Sequence, residues 1–387
     1  MNVIHINSSS VGSTGIIMRE IAMEAKTKGF SSYLCYANSR TNLLKYEEGD
    51  ILIGNRITRN IGIFVSEVLG FDFLSNLIST VIFLIKIRKL RPHVFHLHNL
   101  HGSFINTPVL FWYLKKTDAK VVWTLHDCWA LTGHCTHYVT IGCDKWKKLC
   151  HNCPVHNEYP KCCYDNSKNL YKIKKRTFTS LNNLTIVTPS EWLAQQVKDS
   201  FLNIYPTYVI NNGINTDLFY PRLRNRNIST TIIAVASIWS KDKGLYDIQK
   251  LLEILPSNFK IIIVGSGSEI LGNKNNLVRI ARTHNQRELA DLYRNADVAI
   301  SLSHAETFGM TIAEALSCGT PVVVYNNTAQ PELINEYNGR IVEEGDIKGV
   351  LNAIVDVMST LDRDKMILKK RNLDRKHVYK KYLSLYL

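Results

Sequence analysis

Asp297-Val298-Ala299-Ile300-Ser301-Leu302 runs directly into Ser303-His304-Ala305-Glu306-Thr307-Phe308-Gly309-Met310-Thr311-Ile312-Ala313-Glu314. The first six residues are apolar and β-prone. Ile312-Ala313-Glu314-Ala315-Leu316 then continues as an apolar helical run, closed by Cys318-Gly319-Thr320-Pro321. The segment reads as strand, short loop and helix. Glu306 falls in the loop at the strand's carboxyl end, and Glu314 about two turns into the helix. Ligands of open α/β sheets bind outside such strand ends. The helix N-terminus offers free N–H groups to a phosphate, and Gly309 lets the backbone come close. An ionised carboxylate nearby accepts two or more hydrogen bonds, which suits sugar hydroxyls.

Outward from this segment the chain alternates strands and helices. Asn2 to Asn7 is a first strand, and Gly12-Ser13-Thr14-Gly15 opens a helix. Further strands are expected at Ser32–Ala37, His93–His98, Lys120–Leu125 and Leu184–Thr188. A second series runs through Thr230–Ala236, Phe259–Val264, Leu277–Ile280, Asp297–Ser301 and Pro321–Tyr325. Such alternation argues for parallel, doubly wound sheets. Between the series, Asn212-Gly213 and the terminal Pro221 mark a connector.

The length of 387 residues suits two domains, each with its own core. The opening residues lack a basic stretch before an apolar one, so they read as a strand and not a signal peptide. Phe73 to Ile85 is uncharged but falls short of the ~20 residues a membrane-spanning helix needs. A formal net charge of +14 favours nucleotide substrates, polyanions or anionic membranes. No nucleic-acid-binding motif accompanies it. The run Ile82-Phe83-Leu84-Ile85-Lys86-Ile87-Arg88-Lys89-Leu90-Arg91 could lie on an anionic bilayer, or form a core helix with a solvated basic end.

Glu306-x7-Glu314, within HAETFGMTIAEALSCGTPVV, resembles the signature of retaining GT-B glycosyltransferases of family GT4. The connector at Asn212 to Pro221 is similar to that family's linker, and the resemblance spans nearly the whole chain. It implies two Rossmann-like doubly wound α/β domains facing across a cleft. The boundaries expected are 1–212 for an acceptor-side domain, 213–368 for a nucleotide-sugar domain, and 369–387 for a helix packing back on the first. By the same resemblance Glu306 contacts the donor sugar and Glu314 the ribose. Lys243-Gly244 matches the family's phosphate-binding pair, but Ser237 stands where an arginine is usual. Ser237 cannot supply charge, so Lys243, with Lys241, must neutralise more of the leaving diphosphate. His126 ends a first-domain strand and resembles the histidine near the donor sugar, with Asp127 orienting a neighbour. Gly15, Gly265, Phe308, Gly309, Met310 and Thr311 are expected around the donor. Gly12 and His101 are expected on the acceptor side.

Residues 128–163 hold seven of the nine cysteines. Cys135, Cys143, Cys150 and Cys153 supply four soft ligands that suit a structural zinc. Disulfides or mere space-filling are the alternatives, and with four protein ligands the zinc would take no catalytic part. His96 and His98 share a strand face, but with no adjoining acid or cysteine a metal there is discounted.

The sequence thus points to a retaining glycosyltransferase using a nucleotide-diphosphate sugar and a glycan or lipid-linked acceptor. No catalytic metal is expected. The setting expected is cytoplasmic, peripheral on the inner face of the cell membrane. A sugar-nucleotide epimerase of the same fold, or a non-catalytic zinc-bearing binding protein, is the alternative.

Overall fold

The computed structural model describes residues 1–222, 230–361, 366 and 373–387. The chain divides into two compact units. Unit 1 comprises Met1–Asn211 and Val378–Leu387, and unit 2 comprises Asn212–His377.

Unit 1 carries seven strands: β1 (Asn2–Asn7), β2 (Ser31–Ala37), β3 (Ile51–Ile53), β4 (Val94–Leu97), β5 (Lys120–Thr124), β6 (Leu184–Thr188) and β7 (Thr207–Val209). They pair in parallel in the order β3-β2-β1-β4-β5-β6-β7. Helices α1 (Gly12–Thr27), α2 (Arg40–Leu43), α3 (Arg56–Leu69), α4 (Leu77–Arg88), α5 (Thr107–Leu114), α6 (Ser167–Phe178) and α7 (Glu191–Lys198) connect them. Burial on both faces explains the near-continuous apolar strands, such as β4, where all four residues are buried.

Unit 2 repeats the plan with β8 (Thr230–Ile238), β9 (Phe259–Ser266), β10 (Leu277–Ile280), β11 (Val298–Ser301), β12 (Val322–Tyr325) and β13 (Gly339–Val342). Their order is β10-β9-β8-β11-β12-β13, again all parallel. The helices are α8 (Leu245–Ile254), α9 (Gln286–Asn295), α10 (Met310–Ser317) and α11 (Ile347–Thr360). Each sheet is therefore Rossmann-like, reversing its strand order between β1 and β4 and between β8 and β11. At such a reversal the connections leave in opposite directions and open a crevice at the strands' carboxyl ends.

Three strands escape the sequence reading: β3, β7 and β13. All are edge strands of three or four residues, too short to carry a periodic signal. The terminal helix expected at 370–387 is divided into Arg375–Val378 and Lys380–Tyr386, and its first three residues lie outside the described ones. Its aromatic face enters the core of unit 1, where Tyr379, Tyr382 and Tyr386 cluster with Val3, Ile17, Val94 and Val122. The Tyr386 hydroxyl meets His96 Nδ1 at 2.6 Å. Among the described residues no helix is long and apolar enough to cross a membrane.

Tyr386→Ala should open a cavity beside β4 and cost roughly 3–5 kcal/mol, whereas Tyr386→Phe removes only a buried hydrogen bond worth about 1 kcal/mol. Urea unfolding of the two variants checks the difference.

Candidate functional site

In unit 2 the loops that follow β8 and β11 meet at the strand-order reversal. Gly244, with φ +74°, allows this: a Cβ there would lie 2.1 Å from the carbonyl oxygen of Leu302, at the end of β11. Any side chain would push the loops apart. The amide of His304 donates to the Asp242 carbonyl at 2.8 Å and ties the loops further. The result places Lys243 Nζ 2.6 Å from Glu306 Oε1. Two residues that the sequence reading gave separate tasks thus form one ion pair, partly open to solvent.

Glu306 is held by groups from beyond β12. Its amide donates to Thr328 Oγ1 at 2.9 Å, and its carbonyl accepts from Ala329 N at 3.2 Å. The buried Gln330 amide donates to the Ser303 carbonyl at 2.8 Å and to Asn327 Oδ1 at 2.6 Å, while its oxygen accepts from Ser301 Oγ at 2.6 Å. Thr328 and Gln330 were not singled out from the sequence. The turn-forming Asn326-Asn327-Thr328 after a strand was the available signal. Gln330 opens the short 3-10 helix Gln330–Leu333, which also holds Glu332.

Helix α10 begins just after Gly309, and no side chain caps its first turn. Met310 and Thr311 are half-buried there. Phe308, expected at the donor, instead places its side chain in the core with Tyr293 and Ile312. Only its backbone remains available to a ligand. Glu314 is half-buried one helical stretch on. Burial pushes its carboxyl up to about 7, against the Tyr293 hydroxyl, which donates to Oε2 at 3.3 Å. Near neutral pH this acid therefore sits at its titration point. Ser237 is exposed near the end of β8 and Lys241 on the loop that follows, and Gly265 abuts β8, where a Cβ would lie 1.9 Å from the Ala236 carbonyl.

In unit 1 the corresponding strand ends carry histidines. His126 follows β5, and its Nε2 lies 3.0 Å from Nδ1 of His98, the rings stacked with centroids 5.3 Å apart. Burial holds His126 down at about 4 although Asp127 opposes the shift. It is a neutral imidazole at physiological pH. Burial alone would raise Asp127, but the paired His101 more than compensates and holds it at about 2. His101 Nε2 lies 2.9 Å from that carboxylate and its Nδ1 2.9 Å from the Tyr159 hydroxyl. Both ring nitrogens are engaged, so His101 positions Asp127 and offers no free nitrogen to an acceptor. After β1, the buried Asn42 side chain accepts from the Ser10 amide at 3.0 Å and donates to the Ser8 and Ala37 carbonyls. This clamp, unnoticed in the sequence, shapes the loop that leads to Gly12 and Gly15.

Cys135, Cys143, Cys150 and Cys153 all line one cavity of about 20 Å³, together with Trp146 and His134. They do not form the expected zinc set. Among the described residues the one group of three or more ligand atoms within 4.8 Å of one another is His5, His96 and His98. Cys150 Sγ is turned to accept the Gly133 amide at 3.2 Å. The insertion is organised by packing: Trp146 stacks on Tyr138 at 4.7 Å, and the buried Lys174 ammonium lies 3.7 Å over Trp129. In the histidine trio, His96 already bonds Tyr386 through Nδ1 and Thr124 through Nε2. Both His96 nitrogens are thus engaged, and the trio is a buried cluster in which His98 stacks on His96 with centroids 4.2 Å apart.

Two family profiles cover most of the chain: "Glycosyltransferase Family 4" matches residues 15–218 and "Glycosyl transferases group 1" residues 218–372. A glycosyl transferase of Escherichia coli K12 assigned to colanic acid biosynthesis, WcaC, is 29% identical over 67% of this chain and 66% of its own length. An Escherichia coli UDP-Gal:alpha-D-GlcNAc-diphosphoundecaprenol alpha-1,3-galactosyltransferase is 24% identical over 42% of this chain and 47% of its own length. These matches span about two thirds of the first relative and about half of the second. Among solved structures, sucrose-phosphate synthase from Thermosynechococcus elongatus superposes with a TM-score of 0.73, covering 100% of this chain and 98% of the other at 16% identity. Anabaena HepE in complex with UDP superposes with a TM-score of 0.69, covering 99% of each chain at 15% identity. At these identities the structures establish the fold.

Acid should destabilise unit 1. His5 and His126 are lowered to about 3 and about 4 by burial, and His96 and His98 are lowered too. His101 shifts upward, against burial, through Asp127. From pH about 6.5 down to about 4 the unfolded chain therefore binds more protons than the folded one, and stability falls. Four lowered groups outweigh one raised group. Thermal melts between pH 7.5 and 4.5 should show Tm dropping below about 6.5, and a flat profile would contradict the buried neutral histidines.

Proposed function

Because the chain belongs to glycosyltransferase family 4, with two Rossmann-like units of the GT-B plan, we propose that it transfers a sugar from a nucleotide-diphosphate sugar to a glycan or lipid-linked acceptor with retention of configuration. The observation that carries this reading is the Lys243–Glu306 pair at the strand-order reversal of unit 2, beside the uncapped start of α10. The UDP held by the Anabaena relative, and the lipid-linked acceptor in the name of the galactosyltransferase, support the two substrate classes.

Lys243 neutralises Glu306. A donor diphosphate would draw the ammonium away, and the freed carboxylate would accept hydroxyls of the sugar. Lys243, Lys241 and the amides of Gly309 and Met310 then stabilise charge growing on the leaving phosphate. Since these groups supply positive charge, the transfer needs no divalent metal. The C1–oxygen bond to phosphate breaks while the acceptor oxygen bonds C1 on the same face. The acceptor's proton passes to the departing phosphate oxygen. His126, neutral and able to donate or accept, is assigned to the transferred sugar. Glu314 is assigned to the ribose, with Ser237, Gly265 and Thr311 near the donor, and Gly12 and Gly15 on the loop after β1.

Screening nucleotide sugars for thermal stabilisation, then for donor hydrolysis and transfer, tests the reading. Glu306→Ala and Lys243→Met should each lower kcat by about 10²–10³-fold while the fold persists. Activity should be indifferent to EDTA. Stabilisation without turnover, once lipid-linked acceptors are supplied, would instead favour a sugar-nucleotide-binding protein, the reading that Ser237 keeps in play. Donor KM should fall as pH rises through about 7, where Glu314 ionises and can accept both ribose hydroxyls. Glu314→Gln should flatten that dependence and raise KM about tenfold.

A further inference from the structure

Helix α3 is inside out. Its buried positions are Gly62 and Ser66, whereas Ile57, Ile61, Phe64, Val65 and Leu69 are exposed. Those five recur at helical spacing, so they form one apolar stripe, and that stripe faces solvent. Ile57 and Phe64 are 72% and 66% exposed, far from the usual state of side chains that large. The inner side can be small and polar because α3 lies close against the entry to α4. A Cβ on Gly62 would come 2.3 Å from Asn76 Nδ2, and Ser79 Oγ donates to Thr58 Oγ1 at 3.2 Å.

Helix α4 adds a second outward stripe. Phe83, Leu84 and Ile87 face the core, while Ile78, Val81, Ile82 and Ile85 are exposed, Ile78 by 75%. The run Ile82–Arg91 thus answers both alternatives read from the sequence: one face is core and the other is open. With Leu77 at the start of α4, the neighbouring helices expose ten large apolar side chains, which soluble surfaces seldom do without a partner.

Charge identifies the partner. The contacts of Thr58 with Ser79 and of Gly62 with Asn76 make the helices antiparallel. The start of α3, with Arg56 and Arg59, therefore lies toward the end of α4, where Lys86, Arg88, Lys89 and Arg91 follow. Residues 56–91 hold these six cations against two acids, Glu67 and Asp72. Asp72 is turned inward, accepting from the Ser103 amide at 2.9 Å. Two copies meeting through this face would oppose cation to cation. A bilayer with anionic headgroups would take the apolar stripes into its boundary and neutralise the basic end.

We propose that α3 and α4 form a docking face for an anionic lipid bilayer. This stands apart from the donor chemistry, since none of these residues belongs to the site in unit 2.

The test is co-sedimentation of the full chain with phosphatidylglycerol vesicles and with phosphatidylcholine vesicles. Binding to the anionic vesicles should be about tenfold tighter or more, and should weaken in about 0.5 M salt. The triple variant Ile57→Ser, Ile61→Ser, Phe64→Ser and the double variant Ile78→Ser, Ile82→Ser should lose binding to both vesicles. Their melting and donor hydrolysis should match the parent. Lys86→Glu with Arg88→Glu and Lys89→Glu should abolish the anionic preference. Binding that survives in the serine variants would overturn the proposal. So would a parent that ignores vesicles but dimerises in light scattering, with the serine variants monomeric, since the face would then serve a second copy.

Discussion

Leu302's carbonyl oxygen occupies the space where residue 244 would carry a side chain, and the rest of the unit 2 site depends on that contact. With glycine there, the β8 loop closes onto the end of β11, and Lys243 comes within 2.6 Å of Glu306. Glu306 is in turn pinned from beyond β12, by Thr328 and by Gln330 acting through Ser303. Three neighbouring strand ends therefore define one charged locus. The parallel sheet makes this possible, because it gathers every strand's carboxyl end, with its outgoing loop, on one edge.

The two units manage buried polarity differently. In unit 2 the Lys243–Glu306 pair is partly solvated, so that an incoming anion can exchange partners with it. In unit 1 four buried histidines are neutral: His98 stacks between His96 and His126, and His5 lies tilted against His96. Desolvation keeps them uncharged, and the terminal tyrosines close the cluster from the far end of the chain. At the paired His101 and Asp127 each group offsets the desolvation of the other.

Much of this was legible locally. Strand-helix alternation placed most strands to within a residue or two, and it put Lys243, Glu306 and His126 at strand ends. Glu314 was legible as a helix acid, though not its raised titration point, which comes from burial and persists against the Tyr293 hydrogen bond. Thr328, Gln330 and Asn42 were not legible, because each acts on a loop distant in sequence. Phe308 and His101 were read as ligand-facing because they neighbour true loop positions. One turned into the core, and the other was already bonded on both sides. The cysteines were read as a zinc set from spacing, but spacing cannot say whether four sulfurs converge.

The sequence by itself determined the parallel α/β class, the division into two units and the chemistry available at each strand end. Those properties follow from period and composition, which are local. Strand order was left to the tertiary structure, and it alone made neighbours of β8 and β11 and so paired Lys243 with Glu306. It also decided which way α3 faces. A period of 3.6 residues specifies that a stripe exists, but the direction of that stripe depends on what packs beneath it. Here Gly62 and Ser66 lie underneath, and the aliphatic side was left to the solvent.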